Sequence, residues 1–191
     1  MRTLEERKRL HWKQDYRRTY ELGEKAIQSW NQAEDKMFYA ITLSPDEATV
    51  HAKEIWYDFD ARERFVHSLW TQCLHLFNRS IHNNYRRYPE LQVQDFVAIE
   101  HYDRTTPDKL IKPHLHGTLA VPCSRLMQFE TLFHEVGDCG FLLKPESVDT
   151  AIKSVYMERI PSHADLCYWT GYALKQQLEK QKLERKRPKR D

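Results

Sequence analysis

One stretch decides the fold: KPHLHGTLAV, which runs from Lys112 to Val121. Its pattern is typical of a β-strand, and side chains alternate between the two faces of a strand. His114 and His116 therefore project from the same face. Two neutral imidazoles about 6 to 7 Å apart along one face can bind a metal ion. A chain with 10 histidines also produces an H-x-H pair by chance, so the pair carries weight only together with further residues.

The preceding predicted strand supplies such a residue. LQVQDFVAIE, residues 91–100, alternates and then becomes apolar, and a polar connection separates it from the H-x-H strand. This arrangement predicts a hairpin, in which the carboxylate of Glu100 faces the same way as His114 and His116. One oxygen and two nitrogens leave coordination positions open, which favours a catalytic Mg²⁺ or Mn²⁺ over a closed structural site. The imidazoles favour Mn²⁺.

Helical and extended patterns are interleaved along the rest of the chain. Helices are predicted at 4–32, after a capping box that begins at Ser44, at 61–85, at 124–136 and from Pro161 onward. Strands are predicted at 37–43, 91–100 and 113–121 and within 145–160. Hairpin connections without a regular βαβ order predict an α+β fold with an antiparallel sheet.

Length and composition limit the class of protein. A chain of 191 residues predicts one domain with terminal extensions. No apolar run approaches the roughly 18 residues of a membrane helix, and no signal-peptide pattern is present, so we expect a soluble, cytoplasmic protein without a membrane partner. The four cysteines form no C-x-x-C pair, which argues against a zinc-thiolate site and predicts reduced core residues. They are Cys73, Cys123, Cys139 and Cys167.

The net charge of +2 conceals basic ends. Residues 1–20 hold seven Lys or Arg against three acids, and residues 175–191 hold eight against three. Basic ends suit a polyanion such as nucleic acid, although solvated tails that keep a protein soluble have the same composition. The acidic middle argues against a protein that binds DNA with its whole surface, so any contact with nucleic acid is expected to be local.

A second group of candidate residues lies in YWTGYALK, residues 168–175. Tyr168, Tyr172 and Lys175 share one face of a predicted helix. Aromatic residues at this spacing usually belong to a core, but here a lysine ends the stripe. Gly171 costs about 1 kcal/mol in a helix relative to Ala, which indicates close approach by another backbone or a substrate. Gly117, beside His116, permits close approach in the same way.

These residue types together suit phosphodiester transesterification. A metal ion would polarise a phosphoryl oxygen, a tyrosine hydroxyl would attack, and a lysine would lie near the developing charge. Tyrosine has an unperturbed pKa of about 10, so it needs the cation or a base at neutral pH. The sequence leaves open whether that base is a histidine or solvent.

Four motifs in order resemble the HUH endonucleases, and especially the rolling-circle replication initiator (Rep) proteins. The motifs are MFYAITLSP (37–45), VAIEHYD with Glu100, PHLHGTL with His114 and His116, and GYALK with Tyr172 and Lys175. The resemblance spans about residues 37–176. It divides the chain into a basic helical N-terminal arm (1–36), the HUH endonuclease domain (37–176) and a basic C-terminal tail (177–191).

The resemblance implies a fold and an activity. The fold would be a central antiparallel sheet flanked by helices, with a divalent metal held by Glu100, His114 and His116. Tyr172 would cleave single-stranded DNA at the origin hairpin of a plasmid or phage. The product would carry a covalent 5′-phosphotyrosine and leave a free 3′-OH that primes synthesis. The chain has no G-x-x-x-x-G-K-[ST] motif, so a separate host helicase and polymerase are expected.

Alternatives remain at one residue and for the whole chain. Tyr168 matches the spacing of a second nucleophile found in some phage initiators, or else it packs or stacks on a base. A transposase or conjugative relaxase would share the site chemistry and recognise different DNA. A non-catalytic DNA-binding regulator would need neither the metal ligands nor the Tyr/Lys face. A hydrolase of small phosphodiesters would form no covalent protein–DNA product.

Overall fold

The computed structural model describes residues 4–28, 35–52, 59–102, 110–138, 140–147 and 150–186. Within these ranges the chain forms five α-helices and six β-strands. The helices are α1 (Leu4–Ile27), α2 (Glu47–Ala52), α3 (Phe59–Ile81), α4 (Leu126–Glu130) and α5 (His163–Lys186). The strands are β1 (Lys36–Pro45), β2 (Gln94–Tyr102), β3 (Leu110–Pro122), β4 (Phe133–Val136), β5 (Gly140–Leu143) and β6 (Ile152–Arg159). Part of the predicted connection (103–109), Cys139 and the last residues of the predicted tail (187–191) lie outside the described residues.

The strands form one sheet in the order β2-β3-β1-β6-β5-β4, and the neighbouring strands run antiparallel. β2 and β3 pair directly, as predicted from their sequence. β3 is an interior strand, and its other edge pairs with β1. The α+β fold with an antiparallel sheet is confirmed.

One face of the sheet packs against α3 and α4. Tyr39, Ile41 and Leu43 alternate along β1, and all three lie in the main hydrophobic core. The apolar stripe predicted on the long helix packs into this core as well. Its residues are Phe65, Leu69, Leu76 and Phe77. The apolar residues that alternate along β1 and the apolar stripe of α3 thus pack against each other in one core.

The opposite face is covered by α5 and α1. Thr118 of β3 and Thr170 of α5 are fully buried, and their hydroxyls hydrogen bond at 2.9 Å. Leu166 of α5 packs with Ala120 of β3 and Ile27 of α1 in a second apolar cluster. Helices therefore lie on both faces, and the expectation of a central sheet flanked by helices is confirmed.

Two glycines allow α1 and α5 to approach closely. A Cβ on Gly171 would lie 1.7 Å from the carbonyl oxygen of Thr19, and a Cβ on Gly23 would lie 1.8 Å from that of Cys167. No side chain fits at such distances, so both positions require glycine. The sequence predicted a close approach at Gly171 by a backbone or a substrate, and the neighbour is the backbone of α1.

Capping side chains set the starts of two helices. The hydroxyl of Ser162 accepts a hydrogen bond from the Asp165 N–H at 3.1 Å, so the predicted start of α5 is confirmed. The predicted cap at Ser44 is wrong, because β1 continues through Pro45 by pairing with β6. The carboxylate of Asp46 caps α2 instead and accepts from the Thr49 N–H at 3.0 Å.

The helix predicted at 124–136 is wrong over its second half. α4 ends at Glu130, and Phe133 begins β4, which pairs with β5 across a turn at Gly137. Phe133 is buried in the core from a strand, so apolar spacing alone does not separate the two structures. β5 was not predicted.

The described cysteines agree only in part with the sequence. Cys73 and Cys167 are buried free thiols, as expected, whereas Cys123 is exposed, so its prediction as a core residue is wrong. Burial raises the pKa of Cys73 to about 12 and is the main cause of a raised pKa at Cys167. Both thiols therefore stay protonated at neutral pH, which makes them poor nucleophiles.

Candidate active site

The pairing of β2 with β3 brings the three predicted metal ligands to one face of the sheet. Glu100 lies directly opposite His114, and His116 lies opposite Ala98. Because side chains two residues apart share a face, Glu100, His114 and His116 all point toward α5. The register of β2 shifts immediately after Glu100, so the carboxylate lies at the last regular pair before an irregularity.

The side chains of these residues converge on a small volume. The Oε2 atom of Glu100 lies 3.0 Å from Nε2 of His114 and 3.7 Å from Nδ1 of His116. One candidate ligand atom from each residue lies within 4.8 Å of the others. Glu100 and His116 are each only 7% exposed, whereas the His114 side chain is half-buried. The group can hold a metal ion, and His114 lies on the side nearer solvent.

The donor set fits a divalent cation. A buried carboxylate is costly unless a positive charge or hydrogen bonds compensate it. A cation between Glu100 and the two imidazoles would supply that charge. If these three residues were the only protein ligands of such a cation, further coordination positions would be open to a substrate or water, as catalytic sites require.

Gly117, next to His116 on β3, allows β2 and β3 to pair closely at the site. A Cβ on Gly117 would lie 2.0 Å from the carbonyl oxygen of Phe96 on β2. The close approach expected at this glycine is therefore made by the neighbouring strand. A side chain here would push β2 away from β3 and would disturb the register that places Glu100 opposite His114.

Tyr172 of α5 contacts the candidate metal ligands. Its hydroxyl donates a long hydrogen bond, 3.4 Å, to Oε1 of Glu100. Its ring centroid lies 5.0 Å from that of His116. The residue is only 9% exposed. The structure thus places one predicted nucleophile against two of the three predicted metal ligands.

The position of Tyr172 is set by its neighbours on α5. The buried hydroxyl pair of Thr118 and Thr170 ties the helix to the strand that carries both histidines. Gly171 lies against α1 on the other side of the helix. Held between the sheet and α1, α5 has little freedom to rotate Tyr172 away from Glu100.

Lys175 and Tyr168 contact α1 instead. The Lys175 ammonium donates to both carboxylate oxygens of Asp15, at 2.6 and 2.7 Å. The Tyr168 ring stacks on Tyr16, with centroids 5.0 Å apart and planes 20° apart. The sequence placed both residues on the face of Tyr172, but their contacts differ from those of Tyr172.

Sequence reasoning missed Asp15, Trp169 and Thr170 as neighbours of the site. Asp15 is 160 positions from Lys175 along the chain, so no local pattern connects them. Trp169 stands inside the motif that identified the tyrosines, and its ring lies 6.3 Å from that of Tyr172. An indole beside a candidate nucleophile was the one local signal available.

No protein-family model, curated protein or solved structure matches the chain. Its relation to the HUH endonucleases therefore stays a prediction that rests on its own motifs. None of the helices in the described parts of the chain is both long and apolar enough to cross a membrane.

Proposed function

We propose that this protein is a metal-dependent endonuclease and strand transferase of the HUH class. It would nick single-stranded DNA at a replication origin through Tyr172 and so initiate rolling-circle replication. One observation carries the proposal: the Tyr172 hydroxyl lies 3.4 Å from the carboxylate of Glu100, which groups with His114 and His116 as a possible metal site. The candidate nucleophile and the candidate ligands come from separate elements that only the fold brings together.

Mg²⁺ or Mn²⁺ is the proposed cofactor. Glu100 would supply a hard oxygen ligand, and His114 and His116 would supply imidazole nitrogens, which raise the affinity for Mn²⁺. When bound, such a cation acts as a Lewis acid on a phosphoryl oxygen. The closeness of the three ligand atoms and the burial of Glu100 support this assignment.

In the proposed transfer step, the nucleophile and the group that orients it would both come from this chain. The Tyr172 oxygen would form a bond to phosphorus while the bond from phosphorus to the 3′ oxygen breaks. The tyrosine proton would pass to an imidazole or to solvent, and the leaving 3′ oxygen would take up a proton to become the free 3′-OH. Glu100 accepts the hydrogen bond of the tyrosine hydroxyl and so orients the attacking oxygen.

Lys175 would supply positive charge to the phosphate. It lies three residues after Tyr172 on α5, and its side chain is about one-third exposed, with a value of 31%. To contact a phosphate, its ammonium would exchange one or both oxygens of Asp15 for oxygens of the DNA. The hydrogen bonds of the Lys175 ammonium would be charge-assisted whether the acceptor is Asp15 or a phosphate.

Tyr168 is proposed either to stack on a nucleobase or to act as the nucleophile of a second strand transfer, and not as the first nucleophile. Its ring stacks on Tyr16, whereas the hydroxyl of Tyr172 already contacts the candidate metal site. A role for Tyr168 in a second strand transfer would require the ring to leave Tyr16.

The proposed partners follow from this chemistry. The substrate is single-stranded DNA, presented at an origin hairpin, and a separate host helicase and polymerase would unwind and extend it. Residues 37–176 would form the endonuclease domain. Helix α1 of the 1–36 arm packs along α5 and would support its nucleophile, while residues 177–191 would contact the DNA backbone.

Nicking of a single-stranded oligonucleotide pool tests the proposal. We expect cleavage with Mn²⁺ and none with EDTA. The double variant His114→Ala with His116→Ala should lose cleavage while keeping its fold, as measured by circular dichroism. Full cleavage in EDTA, or undiminished cleavage in the double variant, would rule out the metal-dependent mechanism. DNA binding without cleavage under all conditions would favour a regulator instead.

A further inference from the structure

A continuous series of aromatic rings leads from the surface to the candidate active site. Tyr16 stacks on Tyr168, and Trp169 contacts Tyr168 edge-on with centroids 6.3 Å apart. Trp169 also meets Tyr172 edge-on, at 6.3 Å and an interplanar angle of 81°. Tyr172 in turn contacts His116. The series joins α1, α5 and β3.

The members of this series differ sharply in exposure. Trp169 is 41% exposed and Tyr16 is 39% exposed, whereas Tyr172 is only 9% exposed. The residue that follows Trp169 on α5, Thr170, is fully buried against the sheet. The indole is therefore held by a fixed helix, with part of its surface left in solvent beside the candidate nucleophile.

We propose that Trp169 is a stacking site for an unpaired nucleobase of the strand that is cleaved. This inference rests on the proposed function, because it takes Tyr172 as the point where the phosphodiester lies. A nucleotide next to that phosphate carries its base within reach of a ring 6.3 Å from Tyr172. Every base has a π face, so stacking on an indole binds a single strand without selecting its sequence.

Charge supports a nucleic acid as the occupant of this surface. The rings of Tyr16, Tyr168 and Trp169 are carried by α1 and α5, and these two helices contain most of the two basic ends of the chain. Single-strand binding sites combine such positive charge, which follows the phosphates, with aromatic rings that receive the bases. A stacking site here would fix the strand on one side of the scissile phosphate and so align that phosphate with Tyr172.

Reversible binding measures this role without catalysis. Fluorescence anisotropy in EDTA would give the Kd of the full chain and of Trp169→Ala and Trp169→Phe for a labelled, mixed-sequence single strand. A duplex of the same sequence and a strand made only of abasic nucleotides serve as control ligands, since neither offers an unpaired base. Tyr88→Ala is the matched control variant, because Tyr88 is also exposed, at 43%, and lies in the turns after α3.

We expect Trp169→Ala to weaken single-strand binding by about 5- to 150-fold, the range for loss of one stacked base. Trp169→Phe should recover part of the loss, and Tyr88→Ala should change binding little. The Kd for the duplex and for the abasic strand should be the same in all variants. Equal affinity of Trp169→Ala and the parent for the single strand would overturn the proposal, as would an equal loss for the abasic strand. Unchanged melting temperatures would show that the variants are folded.

The outcomes also separate this inference from the proposed function. A protein that never cleaves DNA but loses single-strand affinity in Trp169→Ala would retain the stacking site and refute the endonuclease. A protein that cleaves DNA normally and binds equally well in Trp169→Ala would retain the endonuclease and refute the stacking site.

Discussion

Glu100 is a carboxylate that the fold buries between two imidazoles and a phenol. Its two oxygens serve different neighbours: Oε2 faces His114 and His116, and Oε1 accepts the hydrogen bond of Tyr172. A single residue thus links the candidate metal site to the candidate nucleophile. We therefore expect loss of its charge to weaken the binding of a metal ion at the candidate site.

We expect Mn²⁺ to raise the Tm of the parent protein, because a ligand that binds only the folded state stabilises that state by mass action. Glu100→Gln should abolish most of this increase, since the amide offers no anionic oxygen. Differential scanning fluorimetry with a Mn²⁺ titration measures both. Glu146→Gln, at an exposed glutamate outside the sheet, is the control. An equal increase of Tm in Glu100→Gln would contradict the ligand assignment.

Asp95 gives the sheet a pH-dependent contribution to stability. Burial raises the pKa of this carboxyl, although the hydrogen bond from Trp70 Nε1, at 2.8 Å, acts in the opposite direction. The folded protein therefore holds the proton more tightly than the unfolded chain does. This contribution favours folding at low pH and is lost as pH rises from the ordinary value of 3.8 through the raised folded pKa.

Asp95→Asn should remove that pH dependence, because asparagine keeps an oxygen for Trp70 and cannot ionise. We expect the free energy of unfolding of the variant to improve relative to the parent as pH rises from acidic to neutral. Urea denaturation at several pH values measures the difference. Asp138→Asn, in the exposed turn between β4 and β5, is the control. A constant difference across the pH range would count against a raised pKa at Asp95.

At the residue scale the sequence predicted that Glu100, His114 and His116 come together as a group that could hold a metal ion, but it did not predict the environment of Lys175. His114, His116 and Glu100 could be found because strand alternation and hairpin pairing are local rules. The ion pair of Lys175 with Asp15 joins the two ends of the chain. Contacts of this kind depend on tertiary packing, which spacing along one helix does not encode.

At the scale of elements, the crossing of α1 and α5 decides how firmly the candidate nucleophile is held. Both contact positions are glycines whose missing Cβ would meet a backbone carbonyl. Backbone atoms cannot move aside as a flexible side chain can. A larger residue at the crossing must therefore separate the helices.

Gly171→Ala should lower the free energy of unfolding by about 1–2 kcal/mol, since overpacking costs about 1–3 kcal/mol and the gain in helix propensity offsets up to about 1 kcal/mol of it. Gly171→Val should cost more.

Gly137 is the matched control: it has a φ of 66° and nothing within 4 Å of an added Cβ. Ala and Ser there should both be destabilising through backbone strain, and to a similar degree. Urea denaturation measures all four variants, and no loss of stability in Gly171→Ala would contradict the close crossing.

The sequence predicted elements well where one local rule acted alone. The alternation in β2 and β3 and the Ser162 cap of α5 are examples, and each is present in the structure. The predictions failed where pairing extended a strand over a helix signal. β1 continues through Ser44 and Pro45 because β6 lies beside it, and Phe133 enters a strand because β5 is available. Such pairings are non-local, so helical spacing could not reveal them.

At the scale of the whole molecule, the excess of positive charge lies at the two ends of the chain, although the net charge is only +2. α5 extends to Lys186, so most of the basic C-terminal segment continues the helix that carries Tyr172. The basic segment thus begins next to the candidate site rather than on an unrelated part of the chain.

This arrangement predicts a salt-dependent affinity for single-stranded DNA. Replacing Lys180, Lys182, Arg185 and Lys186 with Gln should make the slope of log affinity against log salt less negative, by about 0.7 for each phosphate that the protein no longer neutralises. Gln keeps helix propensity, so the substitution is preferable to deletion of residues 177–191. Titrations at several salt concentrations in EDTA measure the slope. An unchanged slope would identify the segment as solvated and not bound to DNA.

The most direct test of the central claim is the identity of the residue that becomes covalently linked to DNA. The protein would be incubated with a single-stranded DNA pool and Mn²⁺, and the linked peptide would be identified by mass spectrometry. We predict a 5′-phosphotyrosine at Tyr172, its loss in Tyr172→Phe, and its retention in Tyr168→Phe. If Tyr168 is a second nucleophile, Tyr168→Phe would fail only in a second strand transfer. An adduct that persists in Tyr172→Phe and disappears in Tyr168→Phe would reverse the two roles, and an adduct in the double variant would contradict tyrosine catalysis on α5.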